Sequence, residues 1–258
     1  MSATWPPLDA HAHIDTTIDP RELLGLRAVI LAASRSLEES TRALSRQSRD
    51  LLTVWGVGVH PAVRASLEAY DEKEFSDLVK RTAYVGEIGL DGKVRSRLPR
   101  QREVLASVLG CLQRNPRLTS IHSYGATAEV VDELERTPIR GAILHWWLGE
   151  PTLTDKAVKL GAYFSVNAAS VRRTETIEAI PLDRLLIETD HPDGNRVGPR
   201  PYQPGNVAAV ESTLARTHAM SPTELRARTW KNLATLVEAT DTSGLLPPRV
   251  RAIVSEAM

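Results

Sequence analysis

Eight short runs of apolar and β-branched residues alternate with longer stretches of helical character, an alternation that admits few folds. The runs lie near Pro7–His13, Ala28–Ala33, Leu52–His60, Ala83–Leu90, Thr119–Ser123, Ala142–Trp147, Ala162–Val166 and Leu185–Asp190. Strands spaced by helices build parallel βαβ units, because a parallel pair needs a crossover long enough to hold a helix. Helices are expected over Leu37–Arg49, Asp71–Lys80, Pro99–Arg114, Thr127–Glu135, Leu153–Lys159 and Thr174–Ala179. In the third of these, Val104, Leu105, Val108, Leu109 and Leu112 form one apolar stripe behind a proline in the first turn. Two closing helices are expected over Asn206–Thr217 and Pro222–Leu236, the second opened by Ser221-Pro222 with Glu224 in its first turn. Arg249–Ala257 suits a last helix.

No linker or composition break divides the 258 residues. Eight β/α pairs in about 240 residues match a (β/α)8 barrel. The expectation is an α/β TIM barrel as a single domain over 1–258, with its core at about 7–237 and a helical tail at 238–258. A doubly wound open sheet is the alternative architecture.

Lys plus Arg and Asp plus Glu both number 32, so no global field draws the chain to nucleic acid or to an anionic membrane, and polyanion binding needs a local patch. Cys111 is the only cysteine, which excludes an intrachain disulfide and a cysteine-built zinc site. It reads as a buried helix residue. Met1–Pro7 lacks the basic and apolar segments of a signal peptide, and no long apolar run suggests a membrane span, so a cytoplasmic protein is expected.

The ionisable residues are placed with a pattern. His13, His60, Glu87, His122, His145 and Asp190 each fall near the carboxyl end of a different expected strand, the face on which barrels build active sites. Five of the seven histidines lie there or on the first strand, leaving His191 and His218. His11 and His13, two apart on a strand, project to one face and can share a cation. Asp9 lies on that face behind them. Glu87 is embedded in Val85-Gly86-Glu87-Ile88-Gly89-Leu90, where an unpaired carboxylate is costly and a metal ligand is not. Asp190 ends a similar strand with Glu188 on its face, and Asp91 is suited to cap the turn after Leu90. His11, His13, Glu87, His122, His145 and Asp190 are therefore the candidate metal ligands.

These residues stand in segments that resemble one family. Leu8–Asp15, Gly56–Pro61, Val85–Asp91, Ile121–Ser123, Leu144–Trp146 and Ile187–Pro192 come in the order found in TatD-type metal-dependent hydrolases of the amidohydrolase superfamily, with Trp230–Leu233 similar to their closing helix. The resemblance implies two divalent ions (Mg²⁺, Mn²⁺ or Zn²⁺): one on His11, His13 and Asp190, the other on His122 and His145, with Glu87 bridging. It implies hydrolysis of DNA phosphodiesters, often from the 3′ end, with His60 near the second ion and the scissile phosphate. Catalysis is then assigned to Asp190, Glu87 and His60. Asp190 orients the attacking water or takes its proton, and His60 stabilises the phosphate or the departing group. The wording at Val85–Gly92, Leu118–Ser123 and Leu144–Trp147 is similar to TatD-like proteins of four-gene antiphage defence operons, which implies partner proteins from such an operon.

The chain departs from the family at Ser123-Tyr124, at Trp146-Trp147-Leu148-Gly149 and at His191, all at the expected substrate mouth. Arg95, Arg97, Arg100, Arg102, Arg172, Arg173, Arg196 and Arg200 are candidates for a phosphate-binding rim, with a solvated helix face as the alternative for the first four. Tyr124, Trp146 and Trp147 suit either base stacking or barrel-end packing. Two other readings stay open: hydrolysis of an ester or amide bond, including aminoacyl-tRNA, and a non-catalytic subunit of a larger complex.

Overall fold

The computed structural model describes residues 5–258, so the part of the N-terminal reading that falls on Met1–Thr4 lies outside the described residues. Each expected run supplies one strand: β1 Leu8–His13, β2 Val29–Ala33, β3 Thr53–Trp55, β4 Tyr84–Gly89, β5 Leu118–His122, β6 Ala142–Leu144, β7 Tyr163–Val166 and β8 Leu185–Ile187. The helices are α1 Pro20–Gly25, α2 Leu37–Leu44, α3 Arg64–Glu68, α4 Glu72–Val79, α5 Leu98–Arg114, α6 Thr127–Arg136, α7 Pro151–Lys159, α8 Thr174–Glu178, α9 Ala208–Thr217, α10 Pro222–Thr240 and α11 Pro248–Ala257.

The strands pair in parallel in the order β1-β2-β3 and β4-β5-β6-β7-β8. Two seams close the circuit. Between β3 and β4, Val57 donates to the Tyr84 carbonyl (3.2 Å) and accepts from Gly86 (2.9 Å). Between β8 and β1, Asp190 donates to the His11 carbonyl (2.9 Å) and His13 to that of His191 (2.8 Å). An open doubly wound sheet would leave two unpaired edges, so the closed hydrogen-bond circuit excludes it in favour of the (β/α)8 barrel.

Where boundaries differ from expectation, the cause is local. The third strand, expected to run to His60, leaves the ladder after Trp55 because Ser34 reaches past Gly58 to β4: Ser34 donates to the Gly86 carbonyl (2.8 Å) and accepts from Glu87 (3.0 Å). A Cβ on Gly58 would lie 1.9 Å from the Ser34 carbonyl oxygen, so only glycine fits this approach. The sequence reading leaves out α1 and α3, of six and five residues, which are too short to show an apolar period. The second helix stops at Leu44, five residues before Arg49. α10 has the capping box of Ser221 and Glu224 but continues past Leu236 to Thr240, where Asp241 takes a left-handed conformation (φ 52°).

Inward positions change character along the barrel. Leu118, Ile143, Tyr163 and Leu186 lie low in one buried cluster with Trp230, Leu233 and Val237 of α10 and Val250 and Val254 of α11. Two residues further along the same faces come Ser120, His145, Ser165 and Glu188, all buried. The amino end is thus packed shut and the carboxyl end is polar. Cys111 is buried in α5, and among the described residues no helix is long and apolar enough to cross a membrane.

Candidate metal centre

All six expected ligands and His60 converge at the carboxyl end of the barrel. Glu87 is the hub, with its two oxygens facing different imidazoles. Oε2 lies 3.0 Å from His13 Nε2, 3.2 Å from His60 Nε2 and 3.7 Å from His11 Nε2. Oε1 lies 2.5 Å from His122 Nδ1 and 2.7 Å from His145 Nε2. Asp190 Oδ1 sits 3.6 Å from His11 Nε2 and 3.9 Å from His13 Nε2. Donor atoms close enough to share an ion fall into three sets: His11, His13 and Glu87; His11, His145 and Asp190; and His60, Glu87 and His122.

The partners behind each ring decide what its inner nitrogen can do. His13 Nδ1 faces the Ala33 carbonyl (3.2 Å), which can only accept. The neutral ring therefore carries its proton there and turns a lone pair toward the Glu87 carboxylate. His122 Nε2 faces Asp91 Oδ2 (3.1 Å), so the ring in its neutral form carries its proton there and turns Nδ1 toward Glu87 as a lone pair. With both rings neutral, acceptors face acceptors at these distances, an arrangement that a bound cation would satisfy once it has displaced the proton of His122. His60 is arranged the other way: its Nδ1 accepts from the Ala62 amide (3.0 Å), so the neutral ring keeps its proton on Nε2 and points a donor into the centre. His11 Nδ1 meets the Ser120 hydroxyl (2.6 Å) and the Tyr84 hydroxyl (3.3 Å).

The backbone beside the candidate ligands is held in unusual conformations. Asp190 and Trp146, which follows His145, both have φ of 43°. Asp190 is pinned by its bond to His11, and the Trp146 amide donates to Glu188 Oε1 (2.9 Å). Glu188 also accepts from Asn167 (3.1 Å) and Ser165, so this fully buried carboxylate orders the turn that presents His145. Asp9 accepts from the Thr189 amide (2.8 Å) and hydroxyl (2.6 Å) and from the Gly205 amide (2.8 Å), tying β1 to the turn that carries Asp190.

Burial lowers His11 to about 3 and His60 to about 4, so both rings are neutral near pH 7. Burial opposes ionisation of Glu87, but the imidazoles of His60, His145 and His122 outweigh it and hold its carboxyl well below the usual range. Burial likewise opposes the charged forms of His145 and His122. The negative charge of Glu87 overcomes it, raising His145 well above the ordinary value and His122 less so. Burial pushes Asp190 well above the carboxylate range.

A cavity of about 350 Å³ opens over the centre, lined among others by Arg35, Lys93, Tyr124, Trp146 and Asp193. None of the eight arginines named for the phosphate rim lines it. Arg95, Arg100, Arg102 and Arg196 pair instead with Glu129, Glu103, Glu133 and Asp193. Trp147 is packing: it is fully buried, and its Nε1 donates to Thr154 (2.8 Å). Asp91 caps its turn by accepting from Lys93 (2.8 Å) and also backs His122. The sequence reading missed Arg35, although it stands two residues past Ala33, the inward end of β2.

The family model described as TatD related DNase matches residues 8–238. The human protein named deoxyribonuclease TATDN3 is 23% identical, the match covering 87% of this chain and 92% of its own. An uncharacterized metal-dependent hydrolase of Methanocaldococcus jannaschii is 25% identical over 87% of this chain and 94% of its own. Among solved structures, YJJV, a TatD homolog from Escherichia coli K12, superposes with a TM-score of 0.78 at 22% identity, covering 89% of this chain and 96% of that one. With the family match spanning the barrel and every candidate ligand, the chain belongs to the TatD-related DNase family and is a metal-dependent hydrolase acting on phosphodiester bonds.

Proposed function

We propose that this enzyme removes nucleotides from the 3′ end of DNA with two divalent ions, one on His11, His13 and Asp190 and one on His122 and His145, with Glu87 between them. The observation that carries this reading is the division of Glu87, whose oxygens approach His13 on one side (3.0 Å) and His145 on the other (2.7 Å). Bound divalent ions supply an activated water and neutralise charge on the phosphoryl and leaving oxygens. Asp190, whose Oδ1 lies 3.6 Å from His11 Nε2, orients the attacking water and takes its proton. His60 donates its Nε2 proton as a hydrogen bond to the phosphate or the departing oxygen. Imidazole-rich donors suit Zn²⁺ and Mn²⁺ as well as Mg²⁺.

Cavity size supports an end-on single strand, since about 350 Å³ lies at the small end of ligand sites, which run roughly 300–1,000 Å³. At its lip Tyr124, 55% exposed, and the half-buried Trp146 present aromatic faces to unstacked bases. The name of the human relative supports DNA as substrate. Work alongside partners encoded in a defence operon is part of the same proposal, supported by the wording of the Glu87, His122 and His145 segments.

The test is cleavage of 5′-labelled single-stranded DNA with Mg²⁺, Mn²⁺ or Zn²⁺, for the wild type beside His11→Ala, Glu87→Ala and His60→Gln. Stepwise shortening is expected from the wild type alone, with metal content kept in His60→Gln and lost in the other two. Cleavage that survives Glu87→Ala would sink the assignment. Silence with every ion would favour an ester or amide substrate.

A further inference from the structure

We propose that Arg35 binds a backbone phosphate next to the scissile one and so sets the path of the DNA strand out of the site. The inference rests on the phosphodiesterase reading above and names a residue which that reading does not use.

Arg35 follows β2 by two residues, and its backbone is held on both sides: its amide donates to Glu39 Oε2 (2.7 Å) and its carbonyl accepts from His60 (3.0 Å). Its half-buried guanidinium, by contrast, makes no hydrogen bond or ion pair among the described residues. The contrast with its neighbours is sharp, since Arg42 pairs with Glu38 (2.8 Å), Arg46 with Asp50 (3.0 Å) and Arg64 with Glu68 (2.6 Å). In a chain whose charges balance overall, an unpaired cation beside a hydrolytic centre marks a place for an anion.

Its position defines which anion. Arg35 and His13 line both the cavity over the imidazoles and a second one of about 390 Å³, which runs outward past Asp15, Thr16 and His191. A ligand that occupies the centre and leaves by this groove must pass Arg35. The acidic groups along the way are already engaged: Asp15 accepts from the Thr17 amide and hydroxyl (both 2.8 Å), and Glu39 from Arg35 itself. A phosphodiester chain has the required anion one nucleotide from the cleaved bond, and its two free oxygens match the guanidinium fork.

The experiment is fluorescence anisotropy of a labelled 12-nucleotide oligothymidylate, its 3′-terminal linkage a phosphorothioate that resists cleavage, from 25 to 200 mM NaCl with Mg²⁺ present, on wild type, Arg35→Met and Arg35→Lys. One lost phosphate contact on a single strand lowers the slope of log affinity against log salt by roughly 0.7. Arg35→Met is expected to show that drop with about tenfold weaker binding, and Arg35→Lys to keep the slope. Equal slopes and affinities for Arg35→Met and wild type overturn this proposal and leave the nuclease reading standing. Wild type that does not bind the strand at all overturns both. An unchanged melting temperature and metal content in Arg35→Met shows that the fold and centre are intact.

Discussion

Asp91 Oδ2 lies 3.1 Å from Nε2 of His122, and the opposite nitrogen of that ring lies 2.5 Å from Glu87 Oε1. The carboxylate behind the ring fixes which nitrogen carries the proton and makes the inner one more basic, as outer partners do for metal-bound histidines. Asp91→Ala is therefore expected to weaken divalent-ion binding by about 10- to 100-fold. Titration with Mn²⁺ or Zn²⁺, followed by calorimetry, reads the effect. Wild-type affinity in a folded variant would show that Asp91 only caps its turn.

The charges of the centre lead to a second expectation. His145 and His122 are held above the ordinary imidazole value by the charge of Glu87, which outweighs the effect of burial. A raised group keeps its proton to higher pH, so near neutrality the metal-free centre holds protons that an incoming ion must displace. Metal affinity should rise with pH across this range, and proton release should appear as a binding enthalpy that changes with the ionisation enthalpy of the buffer. Identical enthalpies in phosphate-free buffers of different ionisation heat, with affinity flat in pH, would contradict the protonation pattern.

The barrel and the cluster of histidines and carboxylates at its mouth were legible in the sequence because both depend on short-range pattern. A short apolar, β-branched run marks each strand, and a histidine or carboxylate at a strand's carboxyl end must face the barrel mouth wherever the helices pack. Residues whose role depends on pairing across the fold were not legible. Arg95 and Arg35 look alike as letters, yet the Arg95 guanidinium meets Glu129 at 2.8 Å while that of Arg35 meets no carboxylate among the described residues. Trp146 and Trp147 are adjacent, but only the first faces the cavity, because the left-handed turn at Trp146 sends the second into the packing with Thr154. The open sheet could not be set aside before the bonds at Val57 and Asp190 were seen, since closure depends on register between distant strands.

Closure gives the last prediction. At Gly58 an added Cβ would lie 1.9 Å from the Ser34 carbonyl oxygen, 2.5 Å from the Glu87 amide nitrogen and 2.6 Å from the Gly86 oxygen, all backbone atoms that cannot swing aside. A methyl group there must pry β2 from β4 directly beneath the carboxylate that joins the two halves of the centre. Gly58→Ala is expected to lose about 3 kcal/mol of stability, the upper end for an overpacked core, and to weaken metal binding with it. Gly110 is the control: it sits within α5 with nothing inside 4 Å of an added Cβ. Gly110→Ala should gain roughly 0.5–1 kcal/mol from helix propensity. Urea unfolding of the two variants, with metal titration of each, separates the effects. A Gly58→Ala protein with wild-type midpoint and wild-type metal affinity would mean that the contact between Ser34 and β4 does not position Glu87.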